Sequence, residues 1–317
     1  MSNLESFLDY QAARRLSTGA YTRLWQRSLP YLLVLPTFAF VFLFTLLPTA
    51  NALIQSLYQP GNARIPTRYV GLQNYLDLFN PNTLIGADFA RIAGNTLIYI
   101  FTTVPISMAI GFGLALLLNR KMRALGLFRF AFFYPVLIPM IGAGSIFAFL
   151  FADQIGLLNT ILRSFGLPGI KWIGDPNWTL IAIIMVSIWK QTGFCMIMYL
   201  AGLQGLSNDV YEAADLDGAT TWQKTRYITL PLLQGTTLFI LTTSIAASFQ
   251  LVDHLFALGE GQPNERSNLL LYFIFQKYNE PRNLGYVSAI TVIILAALLI
   301  FTVLNFWLWE RQTYYEN

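Results

Sequence analysis

Long runs of apolar side chains, separated by shorter polar stretches, set the rhythm of this chain. A hydrocarbon layer about 30 Å thick takes about 20 predominantly apolar residues to cross as a helix. Six windows meet that demand: approximately Tyr31 to Ile54, Leu97 to Leu118, Leu127 to Phe151, Leu180 to Leu203, Leu232 to Leu255 and Val287 to Trp309. A backbone N–H or C=O in lipid finds no water, so each segment must pair its own groups. Runs of this length do so as α-helices, whereas barrel strands would alternate over about ten residues. The pattern predicts an all-α integral membrane protein with six transmembrane helices. An even count puts both termini on one side. Pro36, Pro48, Pro105, Pro135 and Pro139 fall inside the windows. Kinks are expected there, because neighbouring helices or water can re-satisfy the freed carbonyls.

Composition agrees. Only 11% of the residues are charged, where a soluble surface takes roughly a quarter, so lipid is the solvent for much of the chain. The net charge of +4 does not point to nucleic acid, because Lys and Arg stand singly or in short clusters beside apolar runs, as membrane anchors do. Asn119-Arg120-Lys121-Met122-Arg123, with Arg129 beyond, marks one short loop as cytoplasmic by the positive-inside bias. The N-terminal Arg14, Arg15, Arg23 and Arg27, the tail Glu310 to Asn317 and the segment Gln204 to Pro231 then lie on the same side. Arg64, Arg68, Arg91, Arg163, Lys171, Arg266, Lys277 and Arg282 fall outside, so the bias is modest. The first apolar run is too long for a signal-peptide core and has no small-residue cleavage site after it, which predicts an uncleaved helix. The expected organisation is a cytoplasmic tail at 1–30, a first helix with its external loop at 31–94, a five-helix core at 95–309 and a short tail at 310–317. Cys195 is the sole cysteine and sits in an apolar run, so no disulfide framework or thiolate metal site is expected.

The most informative polar stretch runs from Leu206 to Pro231. Asp209 followed by Glu212 reads as a capping box, placing a helix start at Asp209 with its acids near the positive end. Gly218 can take the left-handed conformation that stops a helix, and Thr220 with Gln223 can cap a second one. Pro231 loses nothing by its missing N–H if it opens the next membrane helix. Two short helices at a fixed bend would form an elbow joined to helix five. By physical pattern alone, an amphipathic loop on the membrane surface fits equally well.

Glu212-Ala213-Ala214, three residues, Gly218, nine residues, then Ile228-x-Leu230-Pro231 resembles the signature loop of permease subunits of bacterial ABC importers. The resemblance extends from about Asn95 to the end of helix six and is closest to carbohydrate permeases of the maltose and glycerol-3-phosphate class. Asn95-Thr96-Leu97, Phe133-Tyr134-Pro135 with Pro139, and Trp189 with Ala201-Gly202-Leu203-Gln204 carry it. It implies the type I importer permease fold with both termini cytoplasmic, in a bacterial inner membrane. It further implies an elbow, 204–231, that docks on an ATP-binding subunit, with Glu212, Ala213, Ala214, Gly218, Ile228, Leu230 and Pro231 as coupling residues. The implied partners are a second permease subunit, two copies of the ATPase and an extracytoplasmic solute-binding protein. The long N-terminal tail and the loop Gly259-Glu260-Gly261-Gln262-Pro263 resemble the first of the two permease types, although Gln262 departs from the glycine pair usual before that proline.

Polar side chains at membrane depth usually face a cavity or a partner. The resemblance places a solute path on helices three, four and five, at Val136, Met140, Lys190, Gln191, Phe194, Ser244, Ser248 and Leu251. Hydroxyl and amide groups can bond a polyol, and Phe194 can stack on an apolar sugar face. Lys190 can donate to hydroxyls, pair with a phosphate, or pair with a carbonyl or acid across the subunit interface. His254 beside Asp253 invites a proton relay, a weaker reading. No HExxH, nucleophile elbow or phosphate-cradling glycine loop occurs, so no enzyme chemistry is expected and ATP and Mg would be bound by the partner ATPase. An ion-coupled carrier would show midplane acids or inverted repeats, and a passive channel would leave the elbow without a task. Uncharged glycosides, either oligosaccharides or glycosylated polyols, rank first as solute, with glycerol 3-phosphate the alternative.

Overall fold

In the computed structural model the described residues are Trp25, 29–61, 66–120, 122–250, 258, 267–278, 280 and 283–310. The chain divides into two compact units, Met1–Gln55 and Ser56–Asn317.

Beyond Trp25, the described part of the first unit is a single helix, α1 (Leu29–Gln55), apolar all round and with none of its most hydrophobic window buried. Such a helix suits a lipid solvent. A wide π turn at Phe42–Leu46, in which Leu47 N–H reaches Phe42 O, stands just ahead of Pro48. Proline breaks the regular ladder by its missing N–H, and a wide turn nearby absorbs the mismatch.

The second unit opens with a short antiparallel pair, β1 (Tyr58–Gln59) and β2 (Arg68–Tyr69), in which Tyr58 faces Tyr69. Next come α2 (Gln73–Phe79) and the long α3 (Leu84–Leu118). Thr83 caps α3 by accepting from Gly86 N–H, so the helix starts at Leu84, well before the apolar window at Leu97. Its polar first turns are accommodated by protein. α2 packs on both α3 and α12 (Leu284–Glu310), Tyr286 donates to Asp77 at 2.9 Å, and Asn74 donates to Ser56 O at 2.8 Å. Residues 56–94 thus belong to the second unit.

The third window is broken. α4 (Leu125–Leu137) and α5 (Met140–Leu150) meet at an angle of 101° across Ile138 and Pro139. The residue before a proline is driven out of helical geometry, and Ile138 is extended, at ψ 127°. The expectation of one helix from Leu127 to Phe151 is corrected accordingly. After α6 (Leu157–Ser164), α7 (Thr179–Gln204) is the central element, packed on α3, α4, α5 and α10 (Gln234–Phe249). Half of the apolar window of α7 is buried against protein, compared with 22% for α12. α8 (Asn208–Leu216) and α9 (Thr221–Leu232) form the elbow, and α11 (Leu270–Tyr278) precedes α12. Helices α1, α3, α7 and α12 are each long and apolar enough to span a membrane, and the bent pairs α4–α5 and α9–α10 can each supply one more span.

α3 and α7 touch at Gly111, where an added Cβ would stand 2.5 Å from Cys195 Cβ. Gly111→Val is therefore expected to force the two helices apart at a cost of about 1–3 kcal/mol, seen as a lower unfolding temperature of the purified assembly. An unchanged temperature would show that the contact can slide.

Candidate functional site

α3, α5, α7 and α10 enclose a cavity of about 320 Å³ lined by Tyr99, Thr103, Met140, Ser187, Lys190, Gln191 and Ser248, with Ala247 and Gln250. A larger groove of about 420 Å³ lies between Arg91, Asn95 and Ile98 on α3 and Pro176 to Ile184. Its floor is mostly isoleucine, leucine and proline, whereas the smaller cavity gathers hydroxyl, amide and ammonium groups at membrane depth. Polar groups within apolar spans usually face a cavity or a partner.

Lys190 is fully occupied. Its ammonium donates to Pro135 O and Val136 O, each at 3.1 Å, and to Ile138 O. An ammonium has three protons and no acceptor, so none remains for a solute in this conformation. The three carbonyls belong to the last turn of α4 and the break after it, where helical partners run out and the helix dipole favours a cation. Of the three expected readings of Lys190, pairing with carbonyls is the one seen in this conformation, and the carbonyls belong to its own chain: Lys190 clamps the break while still lining the cavity. Gly193, one turn on, makes the approach possible, because a Cβ there would stand 2.5 Å from Phe132 O.

The other expected pathway residues divide. Gln191 donates to Ser244 at 2.8 Å, and Ser248 back-bonds to Ser244 O at 2.8 Å. Met140, the first residue of α5, lines the cavity with Gln191 and Ser248, while Ser244 stands behind Gln191. Val136 contributes its carbonyl to Lys190, and its side chain lies against Gly193. Phe194 packs in the apolar cluster around Cys195, Tyr199 and Leu203, away from the cavity lining. Leu251, Asp253, His254 and the loop Gly259 to Pro263 lie outside the described residues.

The elbow is built by local chemistry. Ser207, and not Asp209, caps α8, its hydroxyl accepting from Asp209 N–H at 3.2 Å. The serine stands two residues earlier and extends the helix by a residue, leaving Asp209 in the first turn, where its charge still favours the helix. Gly218 has φ +75°. Gly218 N–H bonds Asp215 O at 3.1 Å and Ala219 N–H bonds Ala214 O at 2.9 Å, the paired bonds of a Schellman stop. Thr220 and Gln223 form the expected capping box. Across the bend Lys224 meets Asp215 at 2.6 Å, and Tyr211 bonds Thr229 at 2.9 Å, so the two short helices are cross-tied twice.

Pro231 does not open the membrane helix. It lies in the last turn of α9, after a π turn at Thr225–Thr229, and the chain bends by 67° at Leu233 into α10. The arrangement repeats that at Pro48: a wide turn, a leucine, then proline. Glu212, Ala213, Gly218, Leu230 and Pro231 are exposed, Ile228 is half-buried and Ala214 is buried. Sequence reasoning missed Leu216, Trp222 and Tyr227, exposed by 90%, 73% and 72% at the elbow, where free apolar groups invite a partner. It also missed Tyr99 and Thr103. Their signal was the four-residue spacing of polar groups on one face of an apolar helix.

Residues 96–313 match the family of binding-protein-dependent transport system inner membrane components, a range that starts close to the expected Asn95. The sulfoquinovosyl glycerol transport system permease protein SmoG of Agrobacterium fabrum is 32% identical over 86% of this chain and 87% of its own length. The arabinooligosaccharides transport system permease protein AraP of Bacillus subtilis is 31% identical, covering 88% of each chain. A chain of a bacterial alginate ABC transporter, solved in complex with an alginate pentasaccharide-bound periplasmic protein, shares the fold at TM-score 0.76 and 22% identity, covering 89% of this chain and 96% of that one.

Lys190→Met should remove the side-chain donor from Val136 O and Ile138 O, while Pro135 O keeps Ile138 N–H, at about 1–3 kcal/mol, and lower the unfolding temperature. Lys190→Arg should recover part of the loss. An equally stable methionine variant would show that the carbonyls find other partners.

Proposed function

The chain belongs to the family of binding-protein-dependent transport system inner membrane components, and from that premise we propose that it is the transmembrane permease subunit of an ATP-driven importer of a sugar or sugar-like solute. It forms half of the pore, as six transmembrane spans with both termini cytoplasmic, the bent pairs α4–α5 and α9–α10 each counting as one. A second permease subunit supplies the other half. Two copies of an ATP-binding subunit carry ATP, Mg and the hydrolysis, and an extracytoplasmic binding protein delivers the solute. The membrane is the bacterial inner membrane.

The observation that carries this reading is the elbow. A twice-tied pair of short helices presents Glu212, Leu216 and Trp222 to the exterior and continues through one bend into α10, which lines the polar cavity. Closure of the ATPase pushes the elbow, α10 moves with it, and the cavity opens outward; hydrolysis reverses the motion and releases the solute inward. Two relatives named for sulfoquinovosyl glycerol and for arabinooligosaccharides support a glycosylated polyol or an oligosaccharide as cargo. The cavity supports the same class. Its described cation is already committed to backbone carbonyls, which disfavours glycerol 3-phosphate.

The test is ATPase activity of the reconstituted four-component assembly with its binding protein, across a panel of glycosides and glycerol 3-phosphate. One solute-loaded binding protein is expected to stimulate the wild type. Gly218→Pro, which fixes φ near −65° and removes the N–H donated to Asp215, should cut that stimulation at least about tenfold, or about 1.4 kcal/mol. Solute transport by the permease pair without the ATPase would contradict the proposal and favour a gradient-driven carrier.

A further inference from the structure

We propose that Thr103 on α3 is a specificity-determining residue of the cavity, exchanging hydrogen bonds with a hydroxyl of a neutral glycan. The inference rests on the importer reading and adds to the solute path a helix, α3, that the expected pathway left out.

α3 is apolar for most of its length, yet Tyr99, Thr103 and Ser107 recur at four-residue intervals and so share one face. All three are buried, with exposures of 0%, 2% and 0%. Several helix hydroxyls among the described residues bond back to the carbonyl four residues earlier: Thr96 to Ile92 at 2.9 Å, Ser187 to Ile183 at 2.9 Å, Ser248 to Ser244 at 2.8 Å. The Thr103 and Ser107 hydroxyls break this habit and meet no hydrogen-bond partner. Buried polar groups are normally satisfied, and an orphan carries its full desolvation penalty. Thr103 lines the cavity and Ser107 does not, so of the two only Thr103 can meet an occupant, by a χ1 rotation that turns its hydroxyl, closed to water in this conformation, into the cavity.

The rest of the wall sharpens the point. The three protons of Lys190 go to carbonyls, the Ser187 and Ser248 hydroxyls to their own helices, and the Gln191 amide to Ser244. Tyr99 turns toward Ser187. Among the serine and threonine hydroxyls of the wall, Thr103 is the one whose donor proton is uncommitted, and a hydroxyl with donor and acceptor both open is the complement of a sugar hydroxyl. A site built to bond a hydroxyl rejects an analogue lacking it.

The experiment uses the full assembly in vesicles, with the binding protein saturated in turn with radiolabelled arabinotriose, lactose and trehalose. Uptake and the unfolding temperature of the solute-free assembly are both measured. Thr103→Val keeps the shape and removes the hydroxyl. It is expected to lower uptake of the accepted glycan about tenfold without lowering the unfolding temperature, while Thr103→Ser restores uptake and Ser107→Ala leaves it unchanged. Uptake by Thr103→Val at the wild-type rate would overturn the proposal and leave the importer reading standing. A fall in unfolding temperature, or equal loss in Ser107→Ala, would assign the hydroxyl to packing and also overturn it. A wild type that imports none of the three glycans overturns the glycan assignment, and uptake without ATP overturns the importer reading itself.

Discussion

A helix that breaks inside a membrane must find partners for the carbonyls it bares, and the rest of this structure depends on how that demand is met between Leu137 and Met140. Water is absent from the hydrocarbon, and an unpaired carbonyl there is costly. Lys190 answers from α7 with an ammonium that serves Pro135, Val136 and Ile138 together. The charge needs the carbonyls as much as they need the charge. With the break secured, α5 can leave at 101° from α4, Met140 is turned to the cavity, and a space remains among α3, α5, α7 and α10 that apolar packing would otherwise close.

The elbow and the cavity share α10. Ser248 lies 14 residues beyond Gln234, where α10 begins, so about 21 Å of helix separates the bend at Leu233 from the cavity wall. A rigid rod of that length carries a tilt at one end to the other with little loss. Rigidity at the driven end comes from the Schellman stop at Gly218, the capping box at Thr220 and the ties Lys224–Asp215 and Tyr211–Thr229. Leu233 is the one residue between α9 and α10, where the chain bends by 67°. The proposed coupling therefore requires only a pivot at Leu233.

The apolar windows were legible because lipid imposes a length, and the Gly218 stop and the Thr220–Gln223 box because both are local codes. The cap at Ser207 was misplaced by two residues because Asp209 also satisfies the capping pattern, and sequence alone does not choose between them. Carbonyl pairing was among the readings open for Lys190, but that the carbonyls belong to its own chain was not legible. Its partners are backbone carbonyls 52 to 55 residues earlier, and carbonyls have no side-chain signature. Pro139 hinted at a break, yet nothing in the sequence said what would hold it. Thr103 was legible in principle from its four-residue spacing with Tyr99 and Ser107 on an otherwise apolar helix, but the resemblance placed the solute path on helices three, four and five.

The central claim is that the space among α3, α5, α7 and α10 is a water-accessible path at membrane depth. It is tested most directly by thiol accessibility in the assembled importer, since Cys195 is the sole cysteine and is buried against Gly111. With Cys195→Ala as background, Met140→Cys and Ser248→Cys should react with a membrane-impermeant methanethiosulfonate and be protected when transport is supplied with its solute. Ile146→Cys, on the outer face of α5, should stay inert. Inert cysteines at both cavity positions, or reaction no faster than at Ile146→Cys, would contradict the account.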